Sequence, residues 1–205
     1  MTIFKLPIFF LLLILLNQPL RANPEVFHLT DGFNTKSLGE TARFFEDENQ
    51  NLSLSEVWQQ YNNGSFLPNS SGKTTLGFSK SNWWMAVPIV NETNKEQLIY
   101  FVNHYPHTDL IRFNLLTAKG ELLDAVSGGD MTSSNDGSVN HRFATMKANI
   151  PIGESLLLVM IRTEGSVVMD IRAQNTEFFQ EQKVNCSSQD LSLQSALPGR
   201  QFLPT

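Results

Sequence analysis

The residues of this chain that can do chemistry are few, and most sit in one stretch. Trp83 and Trp84 are consecutive in a long apolar run, so on an extended segment their rings point to opposite faces. One ring then enters a core, and the other is free to offer a flat surface of the kind that stacks on a sugar. The alternative puts both rings inside, because apolar residues continue on both faces of the run. His104 and His107 have a His-x-x-His spacing with Asp109 close behind, a set that can converge on a divalent metal. No cysteine or Glu-x-x-His context accompanies it, and two loop histidines with surface partners account for it more simply. The sequence contains no Gly-x-Ser-x-Gly, no phosphate loop and no His-Glu-x-x-His, so neither catalysis nor a metal or other cofactor is expected.

These residues need elements to position them. Trp83–Asn91, Leu98–Val102 and Leu110–Leu116 are β-rich runs separated by turn residues and read as neighbouring antiparallel strands of one main sheet. Ala118-Lys119-Gly120-Glu121 makes Leu110–Leu116 and Leu122–Val126 a hairpin. Asn91 ends its strand and is expected to brace the following turn with its side chain. Leu156–Thr163 is apolar on both faces, which suits a central strand, and Val167–Arg172 follows it as a last one. Val26–Leu29 and Thr75–Phe78 are shorter candidates. Leu54, Val57, Trp58 and Tyr61 recur at helical spacing behind Ser53 and Glu56, which have capping-box spacing. Roughly seven to nine short strands and one clear helix predict an all-β antiparallel sandwich. The segment from Gly128 to Asn140 is the longest polar gap and reads as a loop.

The ends differ from the middle. Lys5 followed by the apolar run Leu6–Leu16, with Asn17, Gln18 and Pro19 breaking it and Ala22 beyond, reads as a secretory signal peptide over 1–22. The run is shorter than the ~20 residues needed to span a bilayer, and no later stretch is long enough either, so no transmembrane helix is expected in the mature chain. Removing Lys5 and Arg21 makes the mature protein more acidic than the net −5 of the full sequence, which argues against nucleic acid as a partner. The single cysteine, Cys186, has no internal partner. The remaining length of about 180 residues suits one domain, expected over 23–179. Glu177–Lys183 looks like the start of an amphipathic helix. Residues 180–205 form the tail, and from Val184 onward it has no sustained period and reads as disordered.

The order of these pieces resembles a known family. Phe44-Phe45-Glu46-Asp47 followed by Leu52-Ser53-Leu54-Ser55-Glu56-Val57, then Gly77-Phe78, Trp84 through Asn91, Asp109-Leu110-Ile111, Gly120, Gly129-Asp130, His141-Arg142-Phe143 and Ile150-Pro151-Ile152-Gly153-Glu154 resemble the second extracellular domain of bacterial seven-transmembrane receptors with diverse intracellular signalling modules. The resemblance spans roughly Val26 to Phe179. It implies a jelly-roll-like periplasmic sensor domain similar to carbohydrate-binding modules, normally followed by seven membrane helices and a diguanylate cyclase or histidine kinase. Here the sequence turns polar after Lys183 and stops. A truncated or frameshifted receptor gene would give that ending, and so would a free-standing domain with a divergent tail.

Asp109, Asp130 and Arg142 fall at positions that match the family pattern. An Asp–Arg pair there can fix the Gly128–Asn140 loop or grip a polar ligand. The expectation is therefore a non-catalytic periplasmic ligand-sensing domain taking a small polar molecule such as a carbohydrate, with Trp83, Trp84, Asp109, Asp130 and Arg142 as candidate contacts. The competing expectation is a module that docks a periplasmic protein or a second copy of itself.

Overall fold

A computed structural model describes residues 26–131 and 143–183. The expected signal peptide, the tail from Val184 and the candidate contact Arg142 lie outside the described residues. The strands are β1 (Phe27–Leu29), β2 (Thr35–Ser37), β3 (Arg43–Asp47), β4 (Leu67–Pro68), β5 (Thr75–Phe78), β6 (Asn82–Asn91), β7 (Gln97–Asn103), β8 (Leu110–Thr117), β9 (Leu122–Gly128), β10 (Thr145–Ile150), β11 (Gly153–Arg162), β12 (Ser166–Val168) and β13 (Ile171–Asn175). Helix α1 is Leu54–Asn62, and helix α2 covers residues 176–183.

The fold is an all-β sandwich with a helix on each outer face. The first sheet has the order β4-β3-β6-β11-β8-β9, with β1 parallel to the far half of β6, and the second has the order β10-β7-β13-β2. A ribbon of β5 and β12 stands apart. Met85, Val87 and Ile89 of β6, Leu157, Val159 and Ile161 of β11, and Ile111, Phe113 and Leu115 of β8 meet Ile99 and Phe101 of β7, Met146 and Ala148 of β10, and Ile171 of β13 in the inter-sheet core. Alternate residues point the other way. Trp84, Ala86, Leu156, Leu158 and Met160 lie with Val57, Leu54, Trp58 and Tyr61 of α1. On the second sheet Tyr100 and Val102 lie with Phe179 of α2. The Tyr100 and Phe179 rings stack at 4.1 Å and 6°, worth about 0.5–1.5 kcal/mol beyond the area they bury. This layering explains strands that are apolar on both sides: one face serves the sandwich and the other serves a helix.

The ends of both helices are set by local chemistry. Ser53 caps α1, accepting the Glu56 N–H, while the Glu56 carboxylate accepts the Ser53 N–H at 2.7 Å. That reciprocal pair satisfies two amides that the helix leaves without carbonyl partners. Asn175 caps α2 with a single bond, its Oδ1 accepting the Phe178 N–H at 2.8 Å. The second helix takes in Glu177–Lys183, read in the sequence as the start of an amphipathic helix, and adds to the one clear helix expected.

Three sequence expectations are corrected in the sheets. First, β6, β7 and β8 are not neighbours. The strand β11 lies between β6 and β8, because only a strand apolar on both sides can fill the centre of a doubly covered sheet. Second, β7 crosses to the other sheet. The crossing is held by Asn91, 2 % exposed, whose Nδ2 donates to Lys95 O (2.9 Å) and Ile150 O (3.0 Å) and whose Oδ1 accepts from Thr93 N (3.0 Å) and Thr93 Oγ1 (2.7 Å). Asn91 thus braces the turn as expected, but the turn joins two sheets. Third, the run Val167–Arg172 is two strands. Met169 donates its N–H to Thr74 O, which diverts β12 onto β5 before β13 joins the second sheet. Pro88 sits in β6 between Ala86, the last partner of β3, and Ile89, the first partner of β1. A residue with no N–H to donate is tolerated where the flanking strand changes. The hairpin β8–β9 forms as expected, with a register shift at Leu115/Leu116.

Candidate binding cleft

At one end of the first sheet the start of β6, the end of β11, the start of β8 and the end of β9 converge. Trp83 pairs with Ile161, Arg162 with Leu110, and Ile111 with Gly128. The turns leaving these strands enclose a cleft of about 560 Å³ lined by Gln50, Lys80, Asp109, Met131 and the run Arg162-Thr163-Glu164. That size suits a small organic ligand, for which sites of about 300–1,000 Å³ are usual.

Backbone hydrogen bonds fix the walls. Asp109 Oδ2 accepts the Glu164 N–H at 2.7 Å, tying the approach to β8 to the turn after β11. Thr163 Oγ1 accepts the Gly165 N–H at 3.1 Å and tightens that turn. Gln50 Nε2 donates to Lys80 O at 2.7 Å, fastening the segment before β6. The Asp130 N–H donates to Thr108 O and the Met131 N–H to Asp109 O, both at 2.9 Å. Those two bonds need Gly129. Its φ is +108°, and a Cβ there would lie 2.6 Å from Asp109 O and 2.7 Å from Thr108 O. Asn103, wholly buried, donates through Nδ2 to Thr108 Oγ1 at 3.2 Å and holds the same loop from below.

Among the described residues the lining offers two cations, two carboxylates, an amide and a hydroxyl. Lys80, Arg162 and Glu164 are exposed, and Asp109 is half-buried. Asp109 keeps acceptor capacity beyond its one bond to Glu164, since an ionised carboxylate has about four lone-pair sites. Donors and acceptors of both charges around one space suit a ligand with several hydroxyl, amine or carboxylate groups. Among the described residues the lining contains no histidine and no cysteine, and Thr163, its one described hydroxyl side chain, is engaged with its own turn.

The structure disperses most of the residues singled out in the sequence. Asp109 lines the cleft. Asp130 is exposed beside it and anchors the wall through its backbone. Trp84 is 5 % exposed in the apolar layer beneath α1, and half-buried Trp83 packs against the inter-sheet core. Neither indole nitrogen has an acceptor among the described residues, and neither ring lines the cleft. His104 stacks on Phe143 at 5.3 Å, while His107 packs edge-on to Tyr105 at 5.9 Å. Among the described residues no group of three or more His, Cys, Asp or Glu side chains is placed to hold a metal. Sequence reasoning missed Gln50, Lys80, Met131, Arg162, Thr163 and Glu164, which sit at strand ends and in the turns beyond them and carry no motif.

No helix among the described residues is long and apolar enough to cross a membrane. No curated protein gives a significant match to the chain. The family model for 7TMR-DISM extracellular 2 matches residues 39–175, from the glycine before β3 to the last residue of β13. That span contains the whole cleft, Asp109 and Gly129-Asp130 among it, and more than half of the sequence, and on that match the chain belongs to the 7TMR-DISM extracellular 2 family.

Proposed function

We propose that this protein is a non-catalytic periplasmic sensor domain that binds a small polar ligand, of the carbohydrate class, in the cleft between Lys80, Asp109 and Arg162–Glu164. The observation that carries the reading is the convergence of opposite charges on rigid strand ends around one cavity of ligand size. Membership of a receptor extracellular-domain family supports it. Strand-end turns braced by Asp109 and Asn103 position polar groups better than free loops do. A ligand spanning Asp109 and Arg162 would also bridge the approach to β8 and the end of β11, which gives the domain a way to convert occupancy into rigidity.

The test is a thermal-shift screen of the purified protein against mono- and disaccharides, amino acids and small carboxylates, followed by calorimetry on the hits. A ligand present at a hundred times its Kd raises stability by about 2.7 kcal/mol. Arg162→Ala and Lys80→Ala each weaken the hit about tenfold, while their own stability stays within about 0.5 kcal/mol of wild type because both side chains are exposed. A screen without hits, or a hit indifferent to both substitutions, contradicts the assignment. Sedimentation analysis of the free protein tests the docking alternative, which requires self-association or a protein ligand.

A further inference from the structure

A second cavity, sharing no residue with the cleft, opens at the opposite end of the same two central strands. Its floor is a tile of cross-strand pairs on the outer face of the first sheet, Pro88 opposite Leu156 and Val90 opposite Glu154. Its wall is the second half of α1, which presents Trp58 and Tyr61. The volume is about 340 Å³. Apolar and aromatic groups dominate the lining. Among the described residues, Glu154, exposed at the rim, is its one carboxylate, and no lysine, arginine or histidine lines it.

We propose that this groove is a second ligand site, for an organic ammonium ion carrying an apolar body. Charge complementarity selects that class. Aromatic rings attract a cation to their faces, a lone carboxylate supplies the counter-charge, and the apolar floor accepts a hydrocarbon or aryl body. An anion meets Glu154 at the rim, while Arg43, whose charge reaches Tyr61, is not among the described lining residues.

The aromatic wall is held in place before any ligand arrives. A Cβ on Gly120 would lie 2.5 Å from the Trp58 indole, so the turn between β8 and β9 closes directly on that ring. The capping box fixes the start of the helix that carries it. Burial pushes the Tyr61 hydroxyl above its ordinary pKa, against the opposing pull of the Arg43 charge, so the ring is neutral in neutral solution.

The probe is phenethylammonium, titrated into the purified protein by calorimetry and by nitrogen-15 amide shifts. Its neutral counterparts are 3-phenyl-1-propanol and glucose. Saturable binding of the ammonium ion, at least about tenfold tighter than either neutral compound, is expected, with shifts at α1, Val90 and Glu154. Glu154→Gln, an exposed change that leaves the fold intact, removes that preference, whereas Glu177→Gln on α2 leaves it unchanged. Equal binding of the ammonium ion and the alcohol, an unaffected Glu154→Gln variant, or no saturation overturns the proposal. The cleft assignment stands or falls separately, since Arg162→Ala leaves the ammonium titration unaltered.

Discussion

The two cavities lie at opposite ends of β6 and β11 but are made from different materials. Between Glu154 and Arg162 the strand β11 runs roughly 25 Å at about 3.3 Å per residue. At its far end the cleft is built from turns: Asp109, Gly129 and the Thr163–Gly165 corner, knitted by backbone hydrogen bonds. At its near end the groove is built from a helix laid on a sheet, with its shape set by side-chain packing. The cleft's polar groups can discriminate ligands by hydrogen-bond pattern, because a missing partner leaves a charged group unsatisfied. The groove can discriminate chiefly by charge and apolar shape. Mutations should therefore separate the two ends.

The largest effect is expected at the cleft. Gly129→Ala puts a methyl group against two backbone carbonyls that have no flexible end to move, and it does so at φ +108°. Strain of this kind costs about 3 kcal/mol, measurable as a fall in the denaturation midpoint, and cleft binding should vanish with it. A Gly129→Ala variant of wild-type stability would show that the cleft wall is more plastic than these contacts allow. Next comes Gly120→Ala at the groove. Here φ is +86° and the obstruction is the Trp58 ring, a side chain that can shift, so the cost is smaller, about 2 kcal/mol. It should displace Trp58, change its near-ultraviolet signal and spare ligand binding in the cleft. Loss of cleft binding in this variant would mean that the two ends are coupled.

The smallest effect is expected at the helix start. Ser53→Ala removes one half of the capping box and costs about 1 kcal/mol. The hydrogen bonds from the Ser53 side chain and backbone hold the Glu56 carboxyl below its ordinary value. A depressed folded pKa stabilises the native state above the unfolded pKa and loses that contribution as pH falls through the folded one. The variant should therefore show a higher Glu56 pKa by NMR titration and a stability gap from wild type that narrows on acidification. A gap that is independent of pH would assign the effect to the hydroxyl alone.

Legibility in the sequence followed the range of the interaction. The capping box and the Asn91 turn were readable because donor and acceptor lie within five residues of each other. Each long strand was readable from its apolar run. Partner choice was not, because the even-numbered side of β7 is covered by Phe179, far along the chain, and the outer side of β11 by α1. A run that is apolar on both faces announces that it is covered twice and is silent on what covers it. The three residues of β1 gave no hint of parallel pairing, since so short a run has no register of its own. In the cleft, Asp109 and Gly129-Asp130 stood out through the family resemblance. Lys80, Arg162 and Glu164 are ordinary charged residues of a strand end and its flanking turns until β6 and β11 bring them together.

The most direct measurement is an amide chemical-shift map of the nitrogen-15-labelled protein titrated with the best polar hit from the screen. Saturable shifts grouped at Lys80, Asp109, Asp130 and Arg162–Glu164 are expected, with Trp58, Tyr61 and Glu154 unmoved. Shifts grouped around α1 with a silent cleft would contradict the cleft assignment.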